Sequence, residues 1–154
     1  MLFRSDLPTA RNHLVVAAMR GKVYVVGGRF EAGAAGPMTD MVEVYDPSTQ
    51  KWSPAAPMPA RRGGINGGVA AGCLHVLGGE GNRDAANGMF PWHDVYNPIS
   101  DKWSREADMP IPVHGVTGLP FVDGVLFYAG GAKGQGGAGR SDLLQTHKPA
   151  FNCR

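Results

Sequence analysis

Gly21-Lys-Val-Tyr-Val-Val-Gly27-Gly28 is rewritten twice along the chain, as Gly72-Cys-Leu-His-Val-Leu-Gly78-Gly79 and as Gly124-Val-Leu-Phe-Tyr-Ala-Gly130-Gly131. Each copy joins a turn glycine, a short, largely apolar run and a glycine pair. The first glycine of the pair moves from 27 to 78 to 130, steps of 51 and 52 residues. A fixed period of this size is the mark of a repeat architecture, in which each unit buries itself against its neighbours.

The composition agrees. Among 154 residues there are 23 glycines and 12 prolines, only 18% are charged, and no amphipathic stretch of helical length occurs; the chain reads as all-β with many turns. Fifteen basic and thirteen acidic residues leave a net charge of +2, and the arginines are scattered, so nothing argues for nucleic acid. The longest aliphatic run, 14–19, is far too short to cross a bilayer, and Met1-Leu-Phe-Arg-Ser-Asp lacks the pattern of a signal peptide. No membrane contact is expected. Cys73 and Cys153, 80 residues apart, fit no metal or redox spacing and set no compartment.

Working outward from the glycine pairs gives the units. The run 13–19 and the run 23–26, joined by the Arg20-Gly21 turn, predict a hairpin whose nearly continuous apolar character suits a sheet covered on both faces. After a polar loop, Met41-Val-Glu-Val-Tyr45 alternates as a third strand, closed by the turn Asp46-Pro47-Ser48-Thr49, and Lys51-Trp52 begins a fourth. The second unit restates this with Tyr96 and Trp103, both displaced by 51. Aromatics at identical places in each unit predict packing between sheets. The third unit departs from the pattern: Pro120 falls in its first strand, which demands an edge or a bulge, and no third Trp strand follows 142–149.

Pro8 followed three residues later by Arg11, then the glycine-pair phrase, then Val-Glu-Val-Tyr-Asp-Pro and Trp: this run resembles the kelch repeat over nearly all of 1–149. The resemblance implies an all-β, kelch-type β-propeller segment of about three four-stranded blades, the first strand of each lining a central channel, which is the edge where Pro120 is tolerable. Repeat 1 spans 8–59, repeat 2 spans 60–110, an incomplete repeat 3 spans 111–149, and 150–154 form a tail. Residues 1–7 are expected to supply the outer strand of a preceding or partner blade. Kelch propellers usually have six or seven blades, and the third unit resembles the terminal blade of bacterial kelch proteins. Two expectations follow: the C-terminal half of a six-bladed propeller, favoured, or a head-to-tail homodimer that completes a six-bladed ring.

Candidate chemistry is sparse. Gly134-Gln-Gly136-Gly-Ala-Gly139 has the spacing of a dinucleotide loop, but a strand rather than a helix is expected after it, so it reads as a loop. His13, His75, His93, His114 and His147 never pair at i, i+4; His75 replaces Tyr24 and His147 replaces Tyr45, so both read as packing residues. No cofactor or metal is expected, and no catalytic residue can be assigned. Arg11 and Arg62 share one repeat position, where the resemblance implies a place near the channel mouth. There they either meet carboxylates of a ligand or, the favoured reading, tie the blades together through carbonyls. Arg29, Glu80, His13 and His114 complete a candidate ligand rim, and Phe90 and Trp92 are candidate loop contacts whose ordinary fate is packing. The expected function is a recognition module for a protein or carbohydrate partner. The second expectation, by resemblance, is a carbohydrate-directed enzyme: a sialic-acid mutarotase-like isomerase using Glu80 beside Arg11 or Arg62, or less readily a galactose-oxidase-like copper oxidase.

Overall fold

The computed structural model describes residues 5–31, 36–116 and 118–153. Strands β1 (Val15–Met19), β2 (Lys22–Val26), β3 (Val42–Asp46) and β4 (Lys51–Ala55) form an antiparallel sheet in chain order. β5 (Asn66–Ala70), β6 (Cys73–Leu77), β7 (His93–Asn97) and β8 (Lys102–Arg105) repeat it. In the third unit β9 (Phe121–Val122), β10 (Val125–Ala129) and β13 (Leu144–His147) pair in the order β13-β10-β9, while β11 (Ala132–Gly134) and β12 (Ala138–Arg140) make a small hairpin around a 3-10 turn at Gln135–Gly137. The fold is a segment of a β-propeller, with two complete blades and a third of three strands.

The glycine pairs stitch each blade to the next. Gly28, at φ +105, donates its N–H to the Arg62 carbonyl at 3.0 Å, and Gly79, at φ +99, donates to Val113 at 3.3 Å. A Cβ on Gly28 would lie 2.6 Å from the Asn12 carbonyl oxygen, and one on Gly78 would lie 2.2 Å from that of Val113. Backbone conformation and close approach both require glycine there.

Blade 1 packs onto blade 2 through one apolar core that joins Val15, Tyr24, Val26, Val42 and Val44 to Leu74, Val76 and Tyr96. The Tyr24 and Tyr96 rings meet at 5.9 Å, and Trp103 donates Nε1–H to the Ala56 carbonyl at 2.9 Å, so the repeated aromatics pack between sheets. Blade 3 contributes Val113, Leu126 and Tyr128 to a second core with Ala70 and Leu77.

Three expectations need adjustment. The strands are not all covered on both faces: β6, in the middle blade, is buried throughout, whereas β1 alternates and leaves Val16 61% exposed, because blade 1 has a neighbour on one side only. Pro120 precedes β9 instead of lying in it, and its carbonyl accepts from the Phe127 N–H at 3.0 Å. The glycine-rich stretch after Gly131 is not all loop, since β11 and β12 pair across it. Residues 1–4 of the expected outer strand lie outside the described residues; residues 5–7 make no strand within this chain, and Ser5 Oγ accepts from Trp52 Nε1 at 3.0 Å.

Candidate functional site

The turns before the first strands and the segments after the glycine pairs meet on one face. Backbone bridges Asn12–Arg29, Gly63–Glu80 and His114–Ala132 are the same bridge in three successive blades. They bring His13, Arg29, Glu80 and His114 together. Arg29 forms an ion pair with Glu80 at 2.9 Å, donates to His13 Nε2 at 2.7 Å and to Asn12 Oδ1 at 3.2 Å. The second Glu80 oxygen accepts the Gly136 N–H at 2.9 Å and lies 3.8 Å from His114 Nε2, which contacts the Gly134 carbonyl oxygen at 3.1 Å. Glu80 thus anchors the hairpin of blade 3 to blade 2.

His13 holds φ +55, in the left-handed region where the corresponding Gly64 and Gly115 also lie. A side chain at that conformation carries backbone strain, sustained here by its contacts to Arg29 and Asn12. Burial, then the Arg29 charge, push its pKa below the ordinary 6.5, so it is neutral near pH 7 and accepts from the guanidinium.

Arg11 and Arg62 are turned into their own blades, both side chains fully buried. Arg11 ion-pairs with Glu43 and donates to the carbonyls of Thr9, Val25 and Gly27. Arg62 ion-pairs with Asp94 and donates to Gly78 at 3.0 Å. In the third unit Val113 replaces the arginine and Gln145 stands where the acid would be, so the pair is lost as a pair. Phe90 and Trp92 pack together at 4.8 Å over the Arg62 guanidinium, and Arg105 covers Trp92 at 4.1 Å. Both rings therefore complete blade 2.

Beside the rim cluster lies a cleft of about 580 Å³ lined by Pro37, Met38, Arg61, Gly81, Arg83 and Gln135. Arg61 has a side chain 75% exposed and a loose 3.8 Å contact to Asp40, and Arg83 is exposed. Nothing in the repeat marks them: Arg61 aligns with Ala10 and Pro112, and Arg83 lies in a loop. The loops are braced: Gln135 N–H donates to Asn87 O at 2.9 Å, Asn87 Nδ2 donates to Lys133 O at 3.2 Å, and Met38 fills the space against Gly81.

A second polar cluster, between blades 2 and 3, was not anticipated. His75 Nδ1 and His93 Nε2 are 2.8 Å apart, the His93 and His147 rings meet edge-on at 4.5 Å, and His147 bonds Glu106. Nearby, Cys73 and Cys153 form a disulfide, which the 80-residue spacing did not suggest.

A family model for the Kelch motif matches residues 10–59. The chain belongs to the kelch-repeat family. Among curated kelch proteins it is 32% identical to Kelch-like protein terF of Aspergillus terreus, over 94% of this chain and 31% of that protein. It is also 32% identical to Kelch-like protein 35 of Mus musculus, over 82% of this chain and 20% of the relative. It therefore spans about a third or less of the length of these relatives. The solved structure of YjhT superposes with a TM-score of 0.75 at 16% identity, over 94% of this chain and 51% of that one, a likeness of fold.

Proposed function

We propose that this kelch segment is a recognition module whose loop face receives an acidic stretch of a protein partner. The observation that supports this is the cleft beside the rim cluster: two exposed guanidinium groups, Arg61 and Arg83, stand over Met38 and Pro37 on a floor stiffened by the Arg29–Glu80 ion pair. Arginine at a prepared concave surface suits bidentate capture of carboxylates, and steering by such charges is sensitive to salt. Within this reading the ring is closed by the rest of a longer chain or by a second copy, which light scattering of the purified segment distinguishes.

The carbohydrate and enzyme readings have less support. An acid/base carboxylate must reach its substrate, and the Glu80 side chain is 1% exposed and turned to Arg29 and Gly136. Titration of the segment with Glu-rich and neutral peptides of equal length tests the proposal. Tighter binding of the acidic peptide, weakened at least tenfold in an Arg61→Glu/Arg83→Glu variant of unchanged fold and weakened by salt, is expected. Equal binding by the variant overturns it, and turnover of N-acetylneuraminate followed by NMR would replace it with the isomerase reading.

A further inference from the structure

The interface between blades 2 and 3 differs from the one before it at four corresponding positions. Where blades 1 and 2 meet, the repeat places Tyr24, Val42, Ala55 and Tyr96; one unit on, the same positions hold His75, His93, Glu106 and His147. Four apolar or aromatic packing residues have become three imidazoles and a carboxylate in one place. One ligand atom from each of His75, His93 and Glu106 lies within 4.8 Å of the others.

His75 and His93 are buried, at 0% and 1% exposed, and His75 Nδ1 faces His93 Nε2 at 2.8 Å. Two buried imidazole nitrogens facing one another beside a carboxylate make a donor set for a single ion. We propose that His75, His93 and Glu106 hold one divalent transition-metal ion of the zinc class between the second and third blades, with His147 orienting the carboxylate.

Two imidazoles and a carboxylate are a donor set that zinc accepts, and hydrogen bonds to the ligands from a further shell fix their orientation. Here the Glu106 carboxylate is held by His147 and by the N–H groups of Ala150 and Phe151, both at 3.0 Å. Replacing the shared hydrogen bond by two bonds to one ion opens the His75–His93 nitrogens from 2.8 Å. Ligands on a tetrahedral ion with bonds of about 2.05 Å are about 3.3 Å apart. The segment leading to Cys153, tied to Cys73, reaches the site at Glu106.

The test uses the whole chain, treated with chelator and kept free of thiol reductant. Dialysis against Zn²⁺ or Co²⁺ is expected to leave close to one ion per chain, with visible d–d bands for Co²⁺ and ring shifts at His75 and His93 in NMR spectra. A Glu106→Gln variant should bind at least tenfold more weakly. The fourfold variant His75→Tyr/His93→Val/Glu106→Ala/His147→Tyr, which installs the side chains of the first interface, should fold and lose the site. Retention of no stoichiometric ion by the unaltered chain overturns the proposal, as does undiminished binding by the fourfold variant. If the variants do not fold, the ring signals of the unaltered chain decide: responses at His13 or His114 in place of His75 and His93 overturn it.

Discussion

The interface between blades 1 and 2 and the one between blades 2 and 3 have the same backbone frame and an apolar core each, but the second adds buried polar side chains. In the first, Val15, Tyr24 and Val42 form an apolar wall against Leu74, Val76 and Tyr96. In the second, Asn66 takes the wall position of Val15, and Gln145 stands where Asp94 does in the blade before. Asn66 is bonded to the Val113 carbonyl at 3.2 Å and the Val116 N–H at 2.8 Å, while Gln145 bonds both backbone groups of Ile111 at 3.0 and 3.1 Å. A propeller interface thus accepts polar side chains where they satisfy one another or the backbone. The disulfide lies beside the histidine cluster.

The comparison can be broken at four places. Arg62→Ala removes the cation and leaves Asp94, 1% exposed, with only Arg105 as an ionic partner; a loss of about 3–5 kcal/mol in urea unfolding is expected. A loss below about 1 kcal/mol would show that the pair does not hold blade 2 together. Cys73→Ser opens an 80-residue link and should cost about 2–4 kcal/mol, with hydrogen exchange rising first in blade 3. Uniform loosening of all blades would contradict a local role for the disulfide. Trp103→Phe keeps the ring packing and deletes the bond to Ala56, for about 1 kcal/mol; a change near zero would mean that water replaces it.

The smallest effect concerns the rim. His13 titrates below its ordinary value, so its neutral ring accepts from Arg29 at pH 7. As pH falls from 6.5 through the lowered pKa, the proton ends that contact and adds a cation to the face, so an acidic peptide should bind more tightly. Ring NMR checks both points: a midpoint at or above 6.5 would mean that Arg29 does not face a neutral imidazole.

Much of the fold was legible because it repeats. The spacing of 51 between Tyr45 and Tyr96, and between Trp52 and Trp103, gives the register of two blades before any contact is known. Arg11 and Arg62 were expected either to meet a ligand or to tie blades together through carbonyls; each instead bonds carbonyls of its own blade, and their acids were missed, although Glu43 and Asp94 are themselves 51 apart. Of the rim, His13, Arg29, Glu80 and His114 were grouped from sequence as candidates, without the bonds that join them. Their meeting was not legible, because it depends on how far each turn carries the chain across to the neighbouring blade. Arg61 and Arg83 gave no signal, since exposed loop residues obey no period.

His75 and His147 were matched to tyrosine positions from sequence, and that match already placed them at an interblade surface. What it lacked was the partner face. His75, His93, Glu106 and His147 span 72 residues, and only the closure of blade 3 on blade 2 brings them within bonding distance. The sequence by itself determined the repeat, the strands and the blade boundaries, because local turn chemistry and apolar pattern recur at a fixed interval. Tertiary structure alone decided the rim cluster, the disulfide and the histidine cluster, because each depends on contacts between blades whose geometry no single repeat contains.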